Sequence, residues 1–386
     1  MLSVHSILHG IKRICSRLLV NAISLLVPVD TKKVYFISFL GKSYSDNPRS
    51  ISEQLHLQNP EYKIVWAFVS PHKEKQEVPA YVKKVKIRSL KHLYELTTAG
   101  FWVDNYCKNL DTKKRKGQYY IQTWHGDRGP KRILADSVKD KNNYQLFESL
   151  NCDLCVSGSE FGDALYRSSF KYNGDILSVG CPRNDALIGP NSSKDQQFIR
   201  NRIGIPVDYR VLLYAPTFRD CIPSKTQIVN LNIADVVQSL EKTTNEKWLV
   251  LLRGHTGRKL ILKGMDHCRT IDTSDYEDAK DLLFISDALI SDYSSIAPDF
   301  ALRKKPIFLY VSDINLYQQN DRKLWYRIED TPFWFAKTAE ELNTLISNFT
   351  WDKAVDNCEQ ILKFYGTHET GSSSEAVCNW IVNHTK

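Results

Sequence analysis

The chain has 386 residues, 42% of them apolar and 25% charged, enough for two or three domains with real cores and unlike disordered, collagen-like or low-complexity chains. Its net charge of +8 suits a nucleic acid, an anionic lipid surface or a phosphate-rich substrate about equally and cannot choose among them. Nine cysteines, an odd number scattered from Cys15 to Cys378, argue against a dense disulfide framework and for a reducing cytoplasm.

At the N-terminus, Leu18 to Val29 is apolar and follows Lys12, Arg13 and Arg17, as in a signal peptide. Asn21, Ser24 and Pro28 interrupt the run, and no small-residue cleavage site follows. It is shorter than the roughly 20 apolar residues that a bilayer span needs. Ile7, Ile11, Ile14, Leu18, Ala22 and Leu25 recur at helical spacing, with Lys12, Arg13, Ser16 and Arg17 largely off that line. The expectation for 1–30 is an amphipathic helix, lying on an anionic membrane surface or against the protein's own core.

After Pro28, short apolar runs alternate with helical stretches. The strands read as Val34–Phe39, Ile64–Val69, Phe101–Asp104, Tyr119–Thr123, Leu154–Ser157 and Ile176–Val179, then Val211–Ala215, Trp248–Leu252, Ala288–Ser291 and Ile307–Val311. Helices are expected at Ser50–Leu57, Ser89–Thr98, Asp195–Ile203, Asn232–Lys242 and Ala339–Asn348. Strands with little alternation are buried on both faces, as in parallel sheets covered by helices. The pattern predicts doubly wound α/β domains over 31–190 and 191–386, joined at Gly189–Ser193. Cys152 and Cys155 form a lone C-x-x-C and read as structural thiols, and the basic run Lys113–Lys116 reads as a solvated loop.

The unusual polar clusters follow directly after strands. Trp124-His125-Gly126-Asp127-Arg128 follows Thr123, Gly158-Ser159-Glu160 follows Ser157, and Gly180-Cys181-Pro182-Arg183-Asn184-Asp185 follows Val179. Pro216-Thr217-Phe218-Arg219-Asp220 follows Ala215, Arg253-Gly254-His255 follows Leu252, and Asp292-Tyr293-Ser294-Ser295 follows Ser291. Ligands of open parallel sheets bind at the carboxyl ends of the strands, so these clusters should converge on one cleft. Arg128, Arg183, Arg219 and Arg253 offer charge-assisted bonds to phosphate oxygens, and Ser294 and Ser295 open a helix whose free N–H groups favour an anion. His125 and His255 occupy matching strand-end positions, where a group titrating near neutrality suits proton transfer. A P-loop, a G-x-G-x-x-G, a G-x-S-x-G elbow, metal-ligand spacing and a nucleic-acid reading module are all missing from the sequence, so neither a cofactor nor a nucleic-acid partner is expected.

These clusters resemble the CDP-glycerol glycerophosphotransferase family, the teichoic-acid primases and polymerases. The strongest matches are Gln122-Thr123-Trp124-His125-Gly126, Gly180 to Asp185, Ala215 to Asp220 and Ser291 to Ser295, with Gly41-Lys42-Ser43-Tyr44-Ser45-Asp46-Asn47-Pro48 in the family style. The resemblance implies a GT-B type of fold, two Rossmann-like domains facing a cleft. It implies a peripheral location at the cytoplasmic face of the membrane and a lipid-linked polymer acceptor. It implies that His125 is the base and that His255 aids the transferring phosphate or the leaving CMP. Arg183, Thr217, Arg219, Arg253, Asp292, Ser294, Ser295, Ser372 and Ser373 would hold CDP-glycerol or CDP-ribitol, with Trp124, Gly126, Asp127 and Arg128 on the acceptor side. The family usually continues Trp-His-Gly with Thr-Pro-Leu-Lys. Asp127-Arg128-Gly129-Pro130-Lys131-Arg132 departs from this and suggests a different acceptor or polyol, ribitol in place of glycerol being one option. Other readings of the same architecture are a nucleotide-sugar glycosyltransferase and a non-catalytic polymer-binding scaffold.

Overall fold

Aromatic and β-branched residues fill the strand centres and set two parallel sheets. The computed structural model describes residues 16, 18–71, 77–107, 114–137, 145–189, 193–219, 226–254 and 259–385. His255, Asp220, most of the expected linker at Gly189–Ser193 and the first fifteen residues of the expected amphipathic helix lie outside these.

The N-terminal sheet has seven strands: β1 (Asp30–Ile37), β2 (Lys63–Phe68), β3 (Lys83–Lys86), β4 (Ala99–Asp104), β5 (Tyr119–Gln122), β6 (Leu154–Ser157) and β7 (Asp175–Ser178). Their order is β3-β2-β1-β4-β5-β6-β7, every pair parallel. Side chains alternate between faces. Val34, Phe36, Ile64, Trp66, Phe101 and Val103 build one core, while Tyr35, Val65, Ala67 and Trp102 build the opposite one.

The C-terminal sheet is formed by β8 (Tyr209–Tyr214), β10 (Lys247–Leu252), β12 (Thr270–Asp272), β13 (Ala288–Ser291), β14 (Ile307–Tyr310) and β15 (Trp334–Ala336). Their order is β12-β10-β8-β13-β14-β15, again all parallel. Val211, Leu213, Leu249 and Leu251 face one core, and Leu212, Tyr214, Val250 and Leu252 the other. A separate parallel pair, β9 (Thr226–Asn232) and β11 (Lys259–Lys263), covers one side.

Strand order reverses between β1 and β4 in the first sheet and between β8 and β13 in the second. Such switch points open a crevice beyond the strand ends. The segments that leave them are Ser38–Phe39 and Asn105–Tyr106 on one side, Ala215–Thr217 and Asp292–Ser294 on the other.

Five helices frame the site: α1 (Asp46–Gln58), α2 (Glu160–Ser168), α3 (Ile296–Phe300), α4 (Trp351–Tyr365) and α5 (Ser373–Asn383). The expected division at 190 needs one correction. Helix α5 returns to the first domain, where Val377, Cys378 and Ile381 join the core of Val34 and Trp66. Its apolar stripe matches the uncovered face of the N-terminal sheet, and α1 packs beside it.

Residues 18–26 are helical. Ile23 is buried, while Leu18, Leu25 and Leu26 are 64%, 86% and 82% exposed. Arg115 donates to the Ser24 and Val27 carbonyls, and Lys114 pairs with Asp153. Those two members of the basic run therefore make anchoring contacts, which corrects the reading of that segment as a solvated loop. No helix among the described residues is long and apolar enough to cross a membrane. Cys155 is buried and the Cys152 sulfur sits 3.8 Å from it.

Candidate active site between the two sheets

His125 lies just beyond β5, beside the first switch point. Its loop is held open by strain: Trp124 has φ of 46°, a left-handed conformation unusual for a bulky residue. Asn47, the second residue of α1, pins this turn. Its side-chain amide donates to the Thr123 and Trp124 carbonyls and its oxygen accepts from the Arg183 N–H. One buried Asn thus ties the His125 loop to the loop after β7. Trp124 is buried against Phe170 and Tyr166 and acts as a core anchor.

The His125 ring is half-buried among aromatic groups. Tyr106 stacks on it with ring centroids 5.4 Å apart, Trp124 lies at 4.1 Å, and Phe39 meets it edge-on at 5.3 Å. Its Nδ1 is 2.7 Å from the Asn105 carbonyl. Burial pushes the imidazole below its usual pKa. The Asn105 carbonyl and Asp46 oppose this, while Arg183 and Lys131 reinforce it. His125 is therefore neutral near pH 7, as a proton acceptor must be.

Gly126 brings the domains together. A Cβ there would sit 2.8 Å from the Ser295 hydroxyl and 3.3 Å from its Cβ, so glycine lets this loop lie against the start of α3 without displacing that side chain. Ser294 and Ser295 are half-buried at that contact, and the Ser294 hydroxyl accepts from the Ile296 N–H. His125, Gly126 and Ser294–Ser295 are the part of the expected constellation that converges.

The arginines behave differently from the expectation. Arg128 is fully buried, with Nη2 at 2.7 Å from Asp299 and 2.5 Å from Glu369, and Nε at 3.6 Å from Asp127. Arg183 binds Asp299 through Nε and Nη2 and lies 3.6 Å from Asp46. Arg219 is clamped by Asp292 and Asp313 and rests over the Tyr293 and Tyr317 rings. Each guanidinium is paired with carboxylates on one side, while Arg128 Nε and Nη1 and Arg183 Nη1 are buried without a hydrogen-bond partner. Asp127 is also buried; its carboxylate accepts from the Gly158 N–H and the Cys181 thiol. Burial would raise its pKa, but the Arg128 and Arg183 charges outweigh this and hold it below the usual range. The departure at Asp127-Arg128 therefore builds the interface between the domains, a role the sequence reading did not give either residue.

Asp292 accepts from the Thr217 and Tyr293 N–H groups, so it shapes the loop after β8. Ser373 is fully buried. Its hydroxyl donates to the Val179 carbonyl and its N–H to Asp185, which caps α5. Ser373 thus ties the start of α5 to the first domain. Ser372 is exposed and lines a cavity of about 410 Å³ with Glu53, Asp185, Lys280 and Glu375, whose acidic lining is wrong for a diphosphate. Arg253 stands apart. It donates to the Tyr276 carbonyl at 2.7 Å, and no described carboxylate lies within ion-pair distance. Burial lowers its pKa, so the charge there favours an added anion.

Sequence reasoning missed Asn47, Asn105 and Asp299. Asp299 is the hub: it meets Arg128, Arg183 and Asn184 from the other domain. Only Asp46-Asn47, inside the Gly41–Pro48 motif, carried a signal that could have found one of them.

Two doubly wound sheets facing each other across a closed loop contact, with a histidine on one side and a helix start on the other, define a GT-B type of fold. The chain belongs to the CDP-Glycerol:Poly(glycerophosphate) glycerophosphotransferase family, whose pattern matches residues 19–383. The teichoic acid poly(glycerol phosphate) polymerase of Bacillus spizizenii is 31% identical over 373 residues, which cover 91% of this chain and 92% of that protein. The polymerase of the same description from Staphylococcus epidermidis is 34% identical over 324 residues, 79% of this chain and 44% of its own length. The chain thus spans less than half of that relative and of its Bacillus subtilis counterpart. Among solved structures, the wall teichoic acid polymerase TagF superposes with a TM-score of 0.83 at 27% identity, covering 99% of this chain and 98% of that one.

Proposed function

We propose that this chain transfers glycerol phosphate or ribitol phosphate from a CDP-alcohol to a lipid-linked cell-envelope polymer and releases CMP. The observation that carries the proposal is the neutral, aromatic-walled His125 set against Ser294–Ser295 across the domain contact. An acceptor hydroxyl gives its proton to His125 and attacks the β-phosphorus of the donor. The bond to CMP breaks, and CMP leaves with the electron pair. Arg253 and the Ser294–Ser295 turn offset charge on the transferring phosphate, since phosphoryl transfer depends mainly on positioning and electrostatics. His255 is a second candidate at this step. The reaction takes place at the inner membrane surface, where residues 18–26, with Leu25 and Leu26 exposed, offer an apolar contact. Relatives named for glycerol phosphate and one named a ribitol-phosphate primase both match, so the polyol is left to experiment. The test is CMP release by the purified protein from CDP-glycerol and, separately, CDP-ribitol, with a lipid-linked acceptor. Release from one donor supports the reading and names the polyol. Release from neither, with a UDP- or GDP-sugar consumed, replaces it with a glycosyltransferase.

A further inference from the structure

Asn105 is fully buried just beyond β4, and its side-chain amide is fully engaged. Its Oδ1 accepts from the Phe39 N–H at 2.8 Å, and its Nδ2 donates to Asp46 Oδ1 at 3.0 Å and to the Ser38 hydroxyl at 3.2 Å. The amide orientation is fixed by its partners, because an N–H must face an oxygen and a carboxylate must face an N–H. Asp46 Oδ1 also accepts from the Asn47 N–H. Phe39 and Asp46 both hold left-handed backbones, with φ of 44° and 65°. Such conformations are strained and persist where the surroundings enforce them.

All of this restrains one backbone carbonyl, the Asn105 oxygen 2.7 Å from His125 Nδ1. A carbonyl can only accept, so Nδ1 carries the proton. In the neutral ring the lone pair then lies on Nε2, which makes no hydrogen bond among the described residues. We propose that Asn105, itself oriented by Asp46, is a positioning residue that holds His125 in the Nδ1–H tautomer and leaves Nε2 as the proton acceptor. The inference rests on the transfer reading above for its purpose, but not for its geometry. Asp46 has a second effect. Its carboxylate favours the imidazolium that forms when Nε2 takes a proton, against the Arg183 and Lys131 charges that oppose it. The Tyr106 and Trp124 rings enclose the remaining faces.

The test uses the full chain labelled with 15N-histidine, with the His125 signals assigned by their loss in His125→Gln. At pH 7.5 the wild type is expected to show a protonated Nδ1 and an unprotonated Nε2. Asn105→Ala should populate both tautomers and lower kcat roughly tenfold or more, with the donor KM unchanged, since a positioned general base contributes about 100-fold or more. Asp46→Asn should keep the tautomer, move the acid limb of the kcat profile to lower pH and lower kcat; it also serves if Asn105→Ala does not fold. A wild-type Nε2–H tautomer overturns the proposal. So does an Asn105→Ala protein with unchanged tautomer and kcat, or an Asp46→Asn protein with an unmoved acid limb. If the tautomer is as expected but no CDP-alcohol is turned over, the positioning stands and the transfer reading fails.

Discussion

Replacing Arg128 by methionine tests the buried charge cluster between the domains. In the native chain one guanidinium faces Glu369 at 2.5 Å, Asp299 at 2.7 Å and Asp127 at 3.6 Å. Methionine fills much of the volume but leaves three buried carboxylates short of a cation. Breaking a buried pair on one side costs about 3–5 kcal/mol. Part of that is avoidable, because Glu369 can take up a proton. Burial has already pushed its pKa up to about 7, with Asp127 and Asp299 adding to the rise and Arg128 and Asn184 opposing it. At pH 6 the group is largely protonated and the loss is small. At pH 8.5, about 1.5 units above that pKa, uptake of the proton costs about 2 kcal/mol at 1.36 kcal/mol per unit. Urea denaturation of wild type and Arg128→Met at both pH values reads the difference. The destabilisation should be about 2 kcal/mol larger at pH 8.5. A loss below 1 kcal/mol at pH 8.5, or one equal at the two pH values, refutes the placement of these charges.

Three further outcomes follow from the same geometry. The proton that Glu369 holds in the folded state stabilises fully below its unfolded pKa of 4.5, and the benefit disappears as pH rises through about 7. Wild type should therefore lose up to about 3 kcal/mol between pH 4.5 and 8 relative to Glu369→Gln, and parallel Tm curves for the two would contradict this. Gly126→Ala forces the Ser295 hydroxyl aside from a 2.8 Å approach; it should cost about 1 kcal/mol in stability yet lower turnover by a larger factor, checked by thermal melts beside CMP release. Arg253→Lys should raise the donor KM roughly tenfold with little change in stability, since the guanidinium has no described carboxylate to abandon; an unchanged KM removes it from the donor site.

The parallel sheets could be read from the residues because their strands announce themselves locally. Trp248–Leu252 and Ala288–Ser291 are short, apolar and bounded by polar turns, and the structure places strands there. Strand β3 was missed because Val85 alone among its four residues is buried, and β9 because much of its surface is half-exposed. Helix α5 was assigned to the wrong domain for a related reason: an apolar stripe shows that a helix is covered, not by which sheet. At the site, His125 and the two serines were recognisable from residue type and position after a strand. The pairing of Arg128, Arg183 and Arg219 with carboxylates was not legible, because a guanidinium suits phosphate and carboxylate equally well. Two partners of Arg128, Asp299 and Glu369, lie 171 and 241 positions away from it, beyond the reach of any local pattern.

The central claim is that His125 is the base of a CDP-alcohol-dependent transfer. The most direct measurement is single-turnover CMP release by wild type and His125→Ala, with donor affinity measured in parallel on both. The account predicts that the variant binds the donor as tightly as wild type but releases CMP at least 100-fold more slowly. Release at the wild-type rate would contradict it.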